Sequence, residues 1–211
     1  DRSMVMSYGQ DDRVCAYTSY QALLQTAAPE YTSVCLLTDK EEIGSVGATG
    51  MQSRFFEDTV AELMEALGCY SEIAFRRMLK RTKVLSSDVS AAFDPNYPDV
   101  MDKNNSAYLG HGPVFNKYTG SRGKSGSNDA NAEYLAWLRN LLDRAGITYQ
   151  TAELGKVDAG GGGTIAYILA NLGMEVIDFG VAVLNMHAPW EITSKADIFE
   201  TYLAYRAFLL S

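Results

Sequence analysis

The chain has 211 residues, of which 47% are hydrophobic and 21% are charged, and this composition predicts a globular fold with a sizeable core rather than a disordered segment. The formal net charge of −8 argues against nucleic acid as a partner, because phosphate binding needs clustered lysine and arginine. The apolar runs fall well short of the roughly 18 residues that a membrane-spanning helix needs, so no membrane partner is expected.

Helices and strands alternate along the chain. Helices are predicted where apolar residues recur at helical spacing, and strands where short apolar runs stand between turn residues. The predicted helices cover 14–26, 54–66, 71–80, 130–145 and 164–172, with a last helix after a capping box of Ser194 and Asp197, and the predicted strands cover 33–38, 82–86, 113–118, 147–152, 174–179 and 181–184. This order predicts an α/β fold, a three-layer α/β/α sandwich with a mostly parallel central sheet. No linker divides the chain, so residues 1–211 are expected to form one domain.

The three cysteines of the chain predict its compartment. Cys15, Cys35 and Cys69 stand in apolar surroundings and form no Cys-x-x-Cys pair. Their odd number and spacing are typical of buried free thiols in a reducing compartment, so a cytoplasmic location is expected.

Acidic residues and one histidine stand beside the predicted elements. Asp11 and Asp12 precede the first helix, Glu41 and Glu42 follow the first strand, Asp88 follows the strand that ends at Ser86, and His187 follows the run that ends at Leu184. Ligands bind outside the carboxyl ends of strands in open α/β sheets, so these side chains are expected to meet at one edge. Carboxylates packed together raise each other's pKa unless a cation lies between them. Oxygen ligands with an imidazole suit Zn²⁺, Mn²⁺ or Co²⁺.

Each of these residues also has an ordinary structural interpretation when it is considered alone. Adjacent glutamates such as Glu41 and Glu42 are mostly solvated loop charges, and Asp11 or Asp12 would serve as a helix N-cap. Asp88 would cap a turn, and His187 would be a core histidine. The joint pattern in one chain favours the metal site over these separate interpretations.

Four segments that carry these residues resemble, in order, the motifs of the aspartyl aminopeptidase family of metallopeptidases. They are residues 9–17 (GQDDRVCAY), 37–45 (LTDKEEIGS), 86–97 (SSDVSAAFDPNY) and 185–191 (NMHAPWE). Each motif is weak alone, but four in order are specific, and the resemblance extends over essentially the whole chain. The family belongs to the di-zinc exopeptidases. The resemblance therefore implies an aminopeptidase that removes N-terminal residues from peptides and holds two zinc ions per complete site, with cobalt or manganese as substitutes.

The resemblance also implies a role for each site residue. Asp11 matches the carboxylate that bridges the two metals, and the peptide bond after it is cis in related enzymes. Glu42, Asp88 and His187 match terminal metal ligands, and Glu41 matches the general base that takes a proton from the attacking water. Gly162, Gly163 and Thr164 lie in a glycine-rich turn that borders the substrate pocket in the family. A phosphate-binding loop is the alternative for this turn, although the Gly-Lys-Ser/Thr ending of such loops is missing.

The sequence departs from the family in ways that bear on activity. The family has a further histidine ligand upstream of the bridging aspartate, whereas the two histidines here are His111 and His187. The chain is therefore expected to be the C-terminal catalytic portion of a longer enzyme, without the upstream segment and the dimerisation domain, and poorly active alone. His111 is a candidate replacement ligand, although its setting favours a strand start. Asn116 stands where the family usually has lysine, which leaves the preferred N-terminal residue open.

Full-length family members form closed homo-oligomers, so the resemblance implies a homo-oligomer for the whole protein.

Two alternatives to the aminopeptidase remain open. One alternative is a related peptidase or deacylase of the same metal-dependent class, which the Asp94-Pro-Asn-Tyr97 continuation disfavours. The other is a non-catalytic domain that keeps the fold for assembly or binding.

Overall fold

The computed structural model describes residues 2–122, 125–156 and 158–211. Within these residues six α-helices form, and their bounds are Gln10–Leu24 (α1), Phe55–Ala66 (α2), Glu72–Arg81 (α3), Ala132–Ala145 (α4), Ala166–Asn171 (α5) and Lys195–Leu209 (α6). The strands of the same residues are Met4–Ser7 (β1), Lys83–Ser86 (β2), Ser90–Ala91 (β3), Val114–Asn116 (β4), Tyr118–Ser121 (β5), Ser125–Asp129 (β6), Gln150–Thr151 (β7), Glu175–Gly180 (β8), Ala182–Leu184 (β9) and Glu191–Ser194 (β10). Short 3-10 helices cover Glu41–Ile43 and Pro98–Val100.

The strands form two four-stranded sheets and one hairpin. The sheets have the orders β1-β10-β9-β3 and β2-β8-β4-β7, and the hairpin is β5-β6. The pairs β2–β8, β3–β9 and β4–β7 are parallel, whereas β1–β10, β10–β9, β4–β8 and β5–β6 are antiparallel. The protein thus has a mixed α/β fold, and the prediction of a mostly parallel sheet is not confirmed. The loop 185–190 shows one reason, because it is too short for the crossover of roughly a dozen residues that a parallel connection needs.

The strands β8 and β9 lie at the centre of the core and are separated only by Val181. Ile177 and Phe179 of β8 belong to a buried cluster with residues of α4 and α6, whereas Val176 belongs to a second cluster with residues of α3 and α5. Because successive side chains of a strand point to opposite faces, β8 is buried on both faces. A third cluster packs Val14 of α1 against β9 and so brings the start of α1 close to the end of this strand.

Most of the predicted helices and strands are present, with ends shifted by a few residues, but the predicted strand over 33–38 is wrong. These residues form no regular secondary structure. Val34 and Leu37 are 56% and 58% exposed, so the run is not buried on both faces. The apolar run predicted a buried strand, but within the described chain no strand pairs with it. The sequence pattern also missed β1 and β10, which are only four residues long.

Of the predicted capping box at the start of α6, the hydrogen bond to the Ser194 side chain is present, whereas the Asp197 side chain bonds to another segment. Ser194 is the N-cap, and its Oγ accepts the Asp197 N–H at 3.4 Å. The Asp197 carboxylate is fully buried, and it accepts the N–H groups of Gly110 and Gly112 at 2.7 and 2.8 Å. This side chain therefore ties α6 to the loop that precedes β4.

Over the residues that the structure describes, no helix combines the length and the apolar character that crossing a membrane requires.

Gly180, the last residue of β8, allows a close approach that fixes Asp88. An added Cβ at Gly180 would lie 1.9 Å from the Asp88 carbonyl oxygen and 2.9 Å from the Cys15 Sγ atom. Both of these neighbours are backbone or fully buried atoms that have little room to move. The missing side chain at Gly180 thus lets the segment between β2 and β3 pack directly on the central strand.

We predict that Gly180→Ala destabilises the protein by about 1–3 kcal/mol, because the new methyl group overpacks the core. A loss of 1 kcal/mol lowers the melting temperature of a chain of this size by about 2–4 °C, which circular dichroism can follow during heating. Gly160→Ala is the control, since its Cβ would meet its nearest atoms at 3.6 Å. Equal melting temperatures for the two variants would contradict the steric argument.

Candidate metal centre

Among the described residues, two groups of potential metal ligands share Asp11. The first contains Asp11, Glu42 and His187, and the second contains Asp11, Asp12 and Asp88. Within each group the ligand atoms all lie within 4.8 Å of one another. The structure therefore brings together the four residues that the sequence predicted as metal ligands, and it adds Asp12 to the second group.

Asp11 and Asp12 lie where β1 turns into α1. The backbone of both residues is non-helical, and Gly9 just before them has the left-handed φ of 70°. The peptide bond between Asp11 and Asp12 is cis, as the resemblance implies. Regular helix starts only after Asp12, so both carboxylates point away from the helical repeat and are available to the centre.

His187 lies in the loop between β9 and β10. Its backbone has the left-handed φ of 67°. Its Nε2 atom lies 2.9 Å from Asp11 Oδ2 and 3.2 Å from Glu42 Oε1. The side chains of His187 and Glu42 are 61% and 59% exposed, whereas that of Asp11 is 11% exposed. The first group is therefore shielded from solvent on the side of Asp11 and open to solvent on the side of Glu42 and His187.

The adjacent glutamates differ in position because they lie in a tight turn. Glu41 and Glu42 begin a 3-10 helix that is flanked by left-handed residues, Lys40 with φ 67° and Gly44 with φ 87°. Glu42 belongs to the first ligand group, whereas Glu41 belongs to neither group. The charge of Glu41 nevertheless contributes to the raised pKa of Asp12, which places its carboxylate near the centre.

Burial and mutual repulsion raise the pKa values of these acids. Burial, followed by the charge of Glu42, raises the pKa of Asp11 to about 6. Burial is also the largest cause for Asp12, whose pKa rises to about 8 with a further contribution from the charge of Asp11. The pKa of Asp88 lies well above its usual range because of burial and then the charge of Asp12. Burial and the charge of Glu42 raise the pKa of Glu41.

The chemistry of these donors fits a divalent cation. The Asp12 Oδ1 atom is buried, and none of the described residues makes a hydrogen bond to it. A cation placed among the carboxylates offsets their repulsion and supplies a partner to such an oxygen. The first group combines carboxylate and imidazole, a set that suits zinc and its neighbours among the transition metals.

The second group differs from the first in its ligand types. It holds three carboxylates and, within the described chain, no histidine. His111 does not supply one, because it is exposed near the start of β4 and its Nδ1 atom lies 3.2 Å from the Leu109 carbonyl oxygen. The alternative of His111 as a replacement ligand therefore finds no support in the fold.

The glycine-rich turn lies beside the centre rather than in it. The Gly162 carbonyl accepts the N–H of Gly120 in β5 at 3.0 Å, and neither Gly162, Gly163 nor Thr164 belongs to a ligand group. Burial raises the pKa of Asp178 to about 6, and the neighbouring Thr164 hydroxyl acts in the opposite direction. The Asp178 Oδ2 atom accepts a hydrogen bond from the Thr119 hydroxyl of β5 at 3.0 Å. The charge of Asp178 in turn contributes to the raised pKa of Glu41. The turn is thus connected to the centre through one buried carboxylate.

The sequence did not assign a part in the metal centre to three acidic residues. Asp12 was grouped with the other acids but was not assigned as a ligand, and Asp178 and Glu191 were not singled out. Asp178 and Glu191 are 3% and 2% exposed. An acid inside a strand-like run, as in Glu175–Gly180, was the available signal for Asp178, because buried carboxylates need hydrogen-bond partners.

We predict that the metal-free protein loses stability as the pH rises from about 4 to about 8. The raised pKa values of Asp11 and Asp12 mean that the native state binds more protons than the unfolded state over this range, and stability then falls with increasing pH. Thermal melts in the presence of a chelator measure the effect. Asp88→Asn should make the dependence on pH weaker, and excess divalent metal should restore stability at the alkaline end. A metal-free melting temperature that rises towards pH 8 would contradict this prediction.

Comparison with known proteins places the chain in a family. A family model described as aminopeptidase I zinc metalloprotease (M18) matches residues 1–209. A probable M18 family aminopeptidase 1 of Clostridium acetobutylicum is 68% identical over 209 residues, which are 99% of this chain and 45% of the relative. The crystal structure of aminopeptidase I from Clostridium acetobutylicum has a TM-score of 0.92 at 65% identity and covers 100% of this chain and 45% of that one.

A second solved structure gives the same result. The M18 aminopeptidase of Thermotoga maritima has a TM-score of 0.95 at 50% identity, with coverage of 99% of this chain and 46% of that one. The chain spans about half the length of the relatives that it matches. Its two carboxylate-rich ligand groups agree with the metal dependence of these enzymes. The chain belongs to the M18 family of metal-dependent aminopeptidases, which is the aspartyl aminopeptidase family.

Proposed function

We propose that the whole protein hydrolyses N-terminal residues from peptides, with Asp11 at the centre of its metal site and Glu41 as the general base. The observation that carries this proposal is the pair of ligand groups that share Asp11, with the separate glutamate Glu41 close by. A structural ion site needs ligands alone, whereas hydrolysis also needs a base that is not itself a ligand.

Glu42, Asp88 and His187 are the other proposed metal ligands. Asp11 contributes to both groups, which suits a carboxylate that bridges two ions. A bound zinc ion would polarise the substrate carbonyl group and lower the pKa of water. The ligands on the open side, Glu42 and His187, leave that side accessible to a peptide.

Glu41 would accept a proton from the attacking water and donate it to the leaving amine. Its pKa is raised by burial and by the neighbouring Glu42 carboxylate, which brings its basicity closer to neutral pH. Because Glu42 is directed towards His187, the two adjacent glutamates can have separate tasks.

Gly162, Gly163 and Thr164 are proposed to border the substrate. Among the residues that the structure describes, an added Cβ at Gly162 would have one neighbouring atom within 4 Å, the Leu154 Cδ1 atom at 3.8 Å. Space therefore exists beside this backbone, and a peptide chain can approach its N–H and carbonyl groups closely.

The metal content is proposed from the donor chemistry and the family. Zinc is the expected ion, with two per complete active site and cobalt or manganese as substitutes. Because the second group has no histidine within the described residues, we propose that a histidine outside them completes it. Residues 1–211 alone are then expected to bind metal incompletely and to have little activity.

The remaining features of the proposal concern architecture and setting. Burial of β8 against helices on both of its faces supports a three-layer α/β/α sandwich formed as one catalytic domain. All three cysteines lie within the described residues and are free thiols, which supports a cytoplasmic location. The family resemblance supports a homo-oligomer for the whole protein, which light scattering coupled to gel filtration would test.

We predict that Glu41→Gln in the whole protein lowers kcat by about 10²–10⁴-fold, because the amide cannot accept the proton. Metal content should stay unchanged, since Glu41 belongs to neither ligand group. Hydrolysis of a panel of aminoacyl anilides after metal reconstitution gives the rate, and atomic absorption gives the metal content.

Glu62→Gln on the exposed surface of α2 is the control and should behave as the unaltered protein. This experiment also separates the enzyme from the alternative of a non-catalytic domain. A protein that binds metal but cleaves no anilide in its unaltered form would favour the binding domain and contradict the proposed activity.

A further inference from the structure

Glu191 is a buried carboxylate that links two segments of the first ligand group through their backbones. It is 2% exposed and is among the largest fully buried side chains. Its Oε2 atom accepts the N–H of Asp11 at 3.1 Å, and its Oε1 atom accepts the N–H of His187 at 2.8 Å. Glu191 itself belongs to neither ligand group. Its two oxygens therefore accept hydrogen bonds from the backbones of the residues on either side of the proposed metal position.

The sheet explains why one side chain can reach both segments. Glu191 is the first residue of β10 and pairs with Ser7, the last residue of β1. The chain continues from Ser7 to Asp11, while His187 lies in the loop that enters Glu191 from β9. Both ligand-bearing segments thus join the sheet at the paired residues Ser7 and Glu191.

Neither segment has a regular backbone that would hold it in place. Asp11 has non-helical dihedral angles at the start of α1, and His187 has a positive φ. A buried carboxylate needs hydrogen-bond donors, and bonds from N–H groups to an ionised acceptor are stronger than those between neutral groups. Such bonds suit a group that must fix two irregular turns at once.

We propose that Glu191 is a positioning residue that sets the separation between the ligand atoms of Asp11 and His187, and thereby the metal affinity of the first group. The 2.9 Å separation of His187 Nε2 and Asp11 Oδ2 follows from where these two backbones are held. This inference rests on the proposed metal site. Groups that orient metal ligands from behind commonly contribute about 10–100-fold to metal affinity.

The test compares zinc affinity in the whole protein with Glu191 changed in two ways. Glu191→Gln keeps the shape and one acceptor oxygen, but the amide nitrogen cannot accept the second N–H. Glu191→Asp keeps the charge but is one methylene shorter. Glu200→Gln is the matched control, because the Glu200 Oε2 atom accepts the N–H of Thr148 at 3.2 Å, a contact outside both ligand groups.

Competition with a chromogenic chelator measures the zinc affinity, and the absorption spectrum of the cobalt-loaded protein reports the ligand geometry. We expect zinc binding about 10–100-fold weaker and an altered cobalt spectrum in E191Q, with a loss of the same direction in E191D and no change in E200Q. Circular dichroism melts without metal separate this effect from a loss of folding.

Zinc affinity and cobalt spectra equal to those of the unaltered protein in either folded Glu191 variant would overturn the inference. Variants that unfold without metal and are not rescued by excess zinc would also overturn it, since Glu191 would then serve the fold alone. If the unaltered protein binds no zinc, or if His187→Ala leaves its binding unchanged, the proposed metal site itself is wrong. The two failures are therefore distinguishable.

Discussion

The concentration of carboxylates around Asp11 is the constraint on which the rest of the site depends. Three other carboxylates lie close enough to Asp11 to bind the same ion as it does, namely those of Asp12, Asp88 and Glu42. Such packing is unfavourable for ionised acids, and it is reflected in the raised pKa values of Asp11 and Asp12. Helices and strands do not by themselves bring acids together in this way. The surrounding structure must hold them there.

Two kinds of backbone share this task. The acids and the histidine lie on irregular segments, with left-handed residues at Lys40, Asn185 and His187. The support beneath them is regular and buried, because β8 and β9 run through the core and Gly180 lets Asp88 pack directly against them. Irregular turns free the ligand side chains from helical or strand repeats, and the packed strands keep these turns from drifting apart.

The sequence predicted which side chains meet at Asp11 better than it predicted the elements that carry them. The positions of Asp88 and His187 follow from the rule that functional groups lie beyond strand ends, and this rule was met by β2 and β9. Glu42 reached the centre although the predicted strand before it is wrong, because a tight turn between Lys40 and Gly44 directs it. Local patterns do not encode that turn. Asp12 was grouped with the other acids but was not assigned as a ligand, because its place in a ligand group depends on the irregular backbone at the start of α1.

The antiparallel strands that the pattern missed are the elements that determine the geometry of the first ligand group. A parallel return from β9 would need a long crossover, which would place the residues after it far from the start of α1. The short loop to β10 instead keeps His187 next to Asp11. The register of β10 with β1 fixes the positions of these two residues along the strand direction. Glu191 lies in β10 and bonds to both backbones. Its role depends on strand register, which requires the partner strand to be known, so it could not be read from the segment 185–191 alone.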